Sequence, residues 1–247
     1  MIQEWREDGA RLQFNTLPLR WVEEDPAAPA DRGAWFARVP AVRQLLDEGL
    51  TLGAITVFVG ENGAGKSTIV EAIAAAYGLN PEGGTHNARH STNASESPLD
   101  GHIRLARGAG ASRKGVFVRA ETMHGHFGYL EGIHSPGLHN HQSHGESFLE
   151  FVYSRAGMPG LWVFDEPESA LSFTNCLGLI AHMTALAAAG SQVVLSTHSP
   201  VLAAVPGADI YELGEWGMRR TDYDDLEVVD GWRRFLDAPE RYLRHLG

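Results

Sequence analysis

The nine residues GENGAGKST, Gly60 to Thr68, carry the pattern G-x-x-x-x-G-K-[ST]. A glycine-rich turn running into a helix lines up successive backbone N–H groups and makes a nest for an anion. Gly60, Gly63 and Gly65 permit that tight path, with Asn62 and Ala64 between them. Lys66 is a point charge suited to the β- and γ-phosphates of a nucleotide, and Ser67, followed by Thr68, offers a hydroxyl to Mg²⁺. A second group lies in LWVFDEPES, where Asp165 and Glu166 end an apolar run. One carboxylate there can hold Mg²⁺ through its water shell, and its neighbour can orient or deprotonate an attacking water. A third is HNHQSHGESF, His139 to Phe148, in which three histidines surround Ser143 and Gly145.

Such groups act together only if the chain brings them to one edge. AITVFVG (Ala54 to Gly60) is short, apolar and β-branched, as a buried parallel strand should be. The stretch STIVEAIAAAYG after the glycine turn is helical in pattern, which gives the phosphate loop its strand before and helix after. GVFVRAE (Gly115 to Glu121), LWVFDE (Leu161 to Glu166) and QVVLSTH (Gln192 to His198) are further strand candidates. Helical patterns fall at 146–156 and 172–189. Alternating strands and helices predict an α/β fold with a mainly parallel sheet flanked by helices. In such a sheet ligands bind outside the carboxyl ends of the strands, where Gly60, Asp165 and His198 all fall.

The expected organisation is one domain over 1–247. It comprises a small antiparallel β lobe (1–53, with RLQFN and WFARVP as β-like pieces), a core (54–215) and a C-terminal hairpin end with helices (216–247). Within the core, 79–114 reads as a polar surface excursion, and 122–157 holds the serine-glycine segment. DIYELGEWGMRRTDY predicts a hairpin, DYDDLE (Asp222 to Glu227) a solvated helix start, and WRRFLDAPERYLRHL helix. There is no internal repeat and no sustained heptad.

Composition narrows the function. The chain has 247 residues, 43% of them hydrophobic, and a formal net charge of -11. That balance argues against tight sequence-independent DNA binding, although a local basic patch would be compatible with it. Cys176 is the single cysteine, so no internal disulfide is expected, and its apolar surroundings suit a core thiol better than a nucleophile. No stretch is long and apolar enough to span a membrane. The charged MIQEWREDGARLQF differs from a signal peptide, so a cytoplasmic location is expected.

These motifs resemble the nucleotide-binding domain of ABC-class ATPases over about residues 50 to 215. GENGAGKST is similar to Walker A, LWVFDEPESALS to Walker B plus D-loop, and STHSP to the switch-histidine segment. Their order and spacing agree as well. Within the class the chain most resembles small soluble ATPases with SHGES and DEPE motifs, related to SMC-like chromosome-maintenance and overcoming-lysogenization-defect proteins more than to transporters. The resemblance implies that Ser143 and Gly145 cap the γ-phosphate of ATP bound to a partner subunit. It implies that Glu166 is the catalytic carboxylate, that His198 contacts the γ-phosphate, and that Glu121 stands where a Mg²⁺-and-water glutamine is usual. His144 and Glu146 also depart from the usual signature.

The expected function is therefore hydrolysis of Mg·ATP by a head-to-tail homodimer coupled to a soluble partner process. Catalysis would fall to Glu166, His198 and Lys66, and metal binding to Ser67, Asp165 and Glu121. Two other readings stand beside it, a nucleotide-gated binding switch with little turnover and the ATPase subunit of a membrane transporter. Small-molecule kinases lack the signature and the histidine. The histidine run His124 to His144 could hold zinc, but it has no cysteine and no second ligand pair, which favours a solvated, pH-sensitive loop. SHGES lacks the first glycine and the strand of a nucleophile elbow. Trp35 or Phe36 could stack on adenine or belong to the lobe core.

Overall fold

Apolar side chains alternate between the two faces of each central strand, and each face meets a separate core. The computed structural model describes residues 17–80, 97–119 and 144–244. Their strands are β1 (Trp21–Glu24), β2 (Leu50–Thr51), β3 (Ile55–Gly60), β4 (Ile103–Ala106), β5 (Gly115–Arg119), β6 (Leu161–Asp165), β7 (Gln192–Thr197), β8 (Asp209–Gly214) and β9 (Gly217–Arg220). Their α-helices are α1 (Pro40–Glu48), α2 (Lys66–Tyr77), α3 (His144–Tyr153), α4 (Phe173–Ala188), α5 (Pro200–Ala203), α6 (Glu227–Asp237) and α7 (Pro239–Leu243).

The main sheet runs β5-β6-β7-β3-β8-β9, parallel except for the antiparallel edge strand β9. Phe58, Phe117, Leu161, Val163 and Val194 face one core with Leu45 of α1 and Ile69 and Ile73 of α2. Val57, Val59, Trp162, Phe164, Val193 and Leu195 face the other with Phe148 and Val152 of α3, Leu179 and Met183 of α4 and Val229 of α6. Covering both faces is what lets parallel strands be apolar throughout. Truncating Trp162 or Phe164, both fully buried, to alanine would cost about 3–5 kcal/mol. The parallel α/β architecture and the β8–β9 hairpin follow the sequence expectation. Among the described residues no helix is long and apolar enough to cross a membrane.

The second sheet is small and antiparallel, in the order β2-β1-β4. Here the structure departs from the expectation. β4 comes from the stretch read as a polar excursion: Ile103 to Ala106 pair with Glu24 to Trp21, and Leu99 and Ile103 are buried. The lobe is thus completed from outside 1–53. WFARVP is also not extended. Phe36–Arg38 form a 3₁₀ turn, and Pro40 then occupies the first turn of α1, where its missing N–H costs nothing. RLQFN lies outside the described residues.

Side chains bond the lobe to the main sheet: the Tyr211 hydroxyl of β8 donates to the Thr51 carbonyl of β2 at 3.1 Å, and Gln192 makes the more extensive link. Gln192, fully buried at the start of β7, accepts from the Leu19 amide at 2.7 Å and donates to the carbonyls of Leu19 and Gly53, both at 2.8 Å.

Candidate functional site

β3 lies between β7 and β8, and the carboxyl ends of all three open onto the same edge of the sheet. The chain leaves β3 at Gly60, where a Cβ would stand 2.5 Å from the Leu213 carbonyl oxygen of β8. Gly65 has φ +97, and a Cβ there would meet Val39 Cγ1 at 2.7 Å. α2 begins at the next residue with no side-chain cap and no acid in its first turn, so its first amides are free for an anion. Lys66 opens the helix, but its side chain turns back under the loop and is only 2% exposed. Nζ donates to the carbonyls of Gly60 at 2.8 Å and Glu61 at 3.0 Å, and lies 3.3 Å from Glu166 Oε1. A buried ammonium is tolerable only with such partners.

The acidic corner is built across β6 and β7, where Asp165 is in register with Ser196. Asp165 is 3% exposed; it accepts from Ser196 Oγ, and Arg119 Nε is 3.6 Å away. Burial pushes its carboxyl above the usual carboxylate range, while hydrogen bonds from Ser196 and Ser67 and the charge of Arg119 pull it back. Glu166 follows with φ 44 and ψ 51, the only non-glycine residue at positive φ among the described residues. That conformation costs about 1–3 kcal/mol and is held by bonds from the Glu166 amide to Ser196 O (3.1 Å) and Oγ (3.3 Å). It turns the carboxylate toward Lys66 and to 3.9 Å from His198 Nδ1. Glu168, in the next turn, accepts from Thr197 Oγ1 at 2.6 Å and the His198 amide at 2.7 Å.

The structure therefore brings Gly60, Asn62, Gly63, Ala64, Gly65, Lys66, Ser67, Thr68, Asp165, Glu166 and His198 to one edge. Arg119 and Glu168 were not singled out from the sequence. The available signals were a basic residue ending an apolar strand and a second acid after DE, neither of which identifies a partner. Arg119 also pairs with Glu71 of α2 at 2.6 Å.

Trp35 and Phe36 separate cleanly. Phe36 is 2% exposed and stacks on His102, so it belongs to the lobe core. Trp35 is 57% exposed and, with Val39, walls a depression of about 310 Å³ over Asn62, Gly65 to Thr68 and Glu166. A larger cleft of about 800 Å³ flanks the loop on its other side, between Glu61, His198, Trp216 and Trp232. Cys176 is buried, and burial pushes its thiol up.

Glu121, Ser143 and the histidines His124 to His141 lie outside the described residues. Gly145 falls in the first turn of α3. Among the described residues no group of three or more His, Cys, Asp or Glu could hold a metal ion by itself.

Residues 47–121 match the model of an AAA domain; the stretch includes the phosphate loop and α2. No curated protein matches the chain. Among solved structures, the chain is similar to the SMC head domain from Thermotoga maritima, with 13% identity, a TM-score of 0.44, and coverage of 70% of this chain and 93% of that one. It is also similar to a protein described as a metal-chelate type ABC transporter in an inward-facing conformation. There the identity is 18%, the TM-score 0.37, and the coverage 72% of this chain and 76% of the other. Likenesses that weak transfer no residue role. The AAA-domain match, over less than half of the chain, takes in the phosphate loop and the helix that follows it.

Proposed function

We propose that this chain binds Mg·ATP at the phosphate loop and hydrolyses it, in a cycle that joins two copies head to tail. The observation that carries the reading is the buried Lys66 ammonium, held between loop carbonyls and Glu166 at the mouth of α2. Loop amides from Gly60 to Thr68 would take the phosphates, with Lys66 on the β- and γ-groups. Glu166 would orient or deprotonate the attacking water, and His198 would contact the γ-phosphate.

The donor set fits Mg²⁺. A buried carboxylate whose charged form is disfavoured, hydrogen-bonded to the Ser67 hydroxyl, offers the hard oxygens this cation takes. Asp165 and Ser67 would hold it, with Glu121 as the third expected ligand. Bound there, it would offset negative charge on the transferring phosphoryl group. Ser143 and Gly145 of the second copy would close the site. A soluble partner process would be the recipient of the cycle.

The test is phosphate release from ATP by purified protein. The wild type should turn over in a Mg²⁺-dependent way. Glu166→Gln should bind ATP, stay dimeric with it, and lose about 10²- to 10⁴-fold in rate. A Gln variant as fast as the wild type would sink the assignment, and binding without any wild-type turnover would leave a nucleotide-gated switch.

A further inference from the structure

The roles above leave one acid at the corner unassigned. The Glu168 side chain is only 9% exposed, and one of its oxygens accepts two hydrogen bonds from consecutive residues and stands close to a third nitrogen. Besides Thr197 Oγ1 and the His198 amide, Oε1 stands 3.2 Å from His198 Nδ1. Glu166 is farther from that nitrogen, at 3.9 Å. Glu168 Oε2 is buried and has no hydrogen-bond partner among the described residues. The bonds to Thr197 and the His198 amide hold the strand end, whereas the third approach is to the imidazole ring itself.

We propose that Glu168 is the positioning residue for His198: by accepting from Nδ1–H it sets the ring's tautomer and rotation, so that Nε2 is the nitrogen presented to the terminal phosphate of ATP. This rests on the ATPase reading. With the proton on Nδ1, Nε2 is an acceptor. With both nitrogens protonated, Nε2–H becomes a charge-assisted donor whose positive ring is balanced by the carboxylate. In either state the carboxylate decides which nitrogen faces the nucleotide. Glu166 is then free of the ring and available to water.

Glu168→Gln removes the charge alone, since the amide oxygen can still accept from Thr197, the backbone and Nδ1–H, whereas Glu168→Ala removes the acceptor as well. In Glu168→Ala we expect kcat to fall roughly tenfold, as for other residues that orient a functional histidine, with KM for ATP within about twofold. Adding His198→Ala to Glu168→Ala should cost nothing beyond His198→Ala alone, because the two act through one ring. Nitrogen-15 imidazole spectra, with His198 assigned by its absence in His198→Ala, should show the Nδ1-protonated tautomer in the wild type and in Glu168→Gln, and a shift toward Nε2–H in Glu168→Ala. A wild-type His198 protonated on Nε2 alone would overturn the proposal. So would Glu168→Ala at the full rate, or rate losses that multiply in the double variant. If the wild type releases no phosphate, the ATPase reading falls, and the imidazole spectra still decide whether Glu168 governs the ring.

Discussion

The phosphate loop and the acidic corner stand two strands apart on one sheet edge, and they are made of different materials. The loop is shaped by main chain: Gly60 lies flush against β8, and Gly65 has neither the φ nor the space for a side chain. The corner is shaped by side chains: Asp165, Glu166, Glu168 and His198 hold their places through bonds to Ser196, Thr197 and Arg119. Substitutions in the loop should therefore act by steric exclusion. Those in the corner should act by charge, and their effects should depend on pH and metal.

The largest effect expected is from Gly65→Val. Its Cβ has no room beside Val39, so Mg·ATP binding should vanish in calorimetric titration, with a stability loss of about 1–3 kcal/mol on urea unfolding. Asp165→Asn should lose Mg²⁺-dependent turnover yet make the metal-free protein more stable at neutral pH. The sign follows from burial, which raises this carboxyl's pKa, so the folded chain holds the proton more tightly than the unfolded chain. The cost of the ionised form is absent below the usual carboxylate range and grows as pH rises through the raised value. Thermal melts against pH should show that downward slope in the wild type and not in Asp165→Asn; identical slopes would remove charge as the organising term. Ser196→Ala should cost about 1–3 kcal/mol at neutral pH by stripping a donor from buried Asp165, and the loss should shrink on acidification. Gly63→Ala is the smallest. Its φ is +84, but no atom lies within 4 Å of an added Cβ, so about 1–2 kcal/mol of backbone strain is expected with ATP binding kept. Equal damage from Gly63→Ala and Gly65→Val would mean that loop conformation matters more than the Val39 contact.

The same contrast explains what was legible in the sequence. The loop is contiguous, so GENGAGKST displays its chemistry within nine residues. The parallel strands were legible because both faces are buried, which makes each run apolar from end to end. β4 was not, because its four residues alternate Ile103 and Leu105 with Arg104 and Ala106, and their pairing partner β1 lies some eighty residues away. WFARVP has the composition of a strand, yet Pro40 starts a helix whose buried face, Ala41, Val42, Leu45 and Leu46, emerges only after the proline. The DE pair was legible by its place at a strand end. Glu168 was not, since its meaning comes from Thr197 and His198, thirty residues on in the chain and adjacent only in space.

The Gln192 amide anchors the lobe at the end of the sheet away from the nucleotide edge. Its bonds reach Leu19 and Gly53 at the amino end of β7, whereas the acidic corner lies at the carboxyl end of the same strand. The segment from Leu19 onward carries Trp35 to the wall above the phosphate loop. Gln192→Leu would strip that partner from the Leu19 amide and two carbonyls without touching any group near the loop, while the shared apolar core and the Tyr211–Thr51 bond still hold the lobe to the sheet.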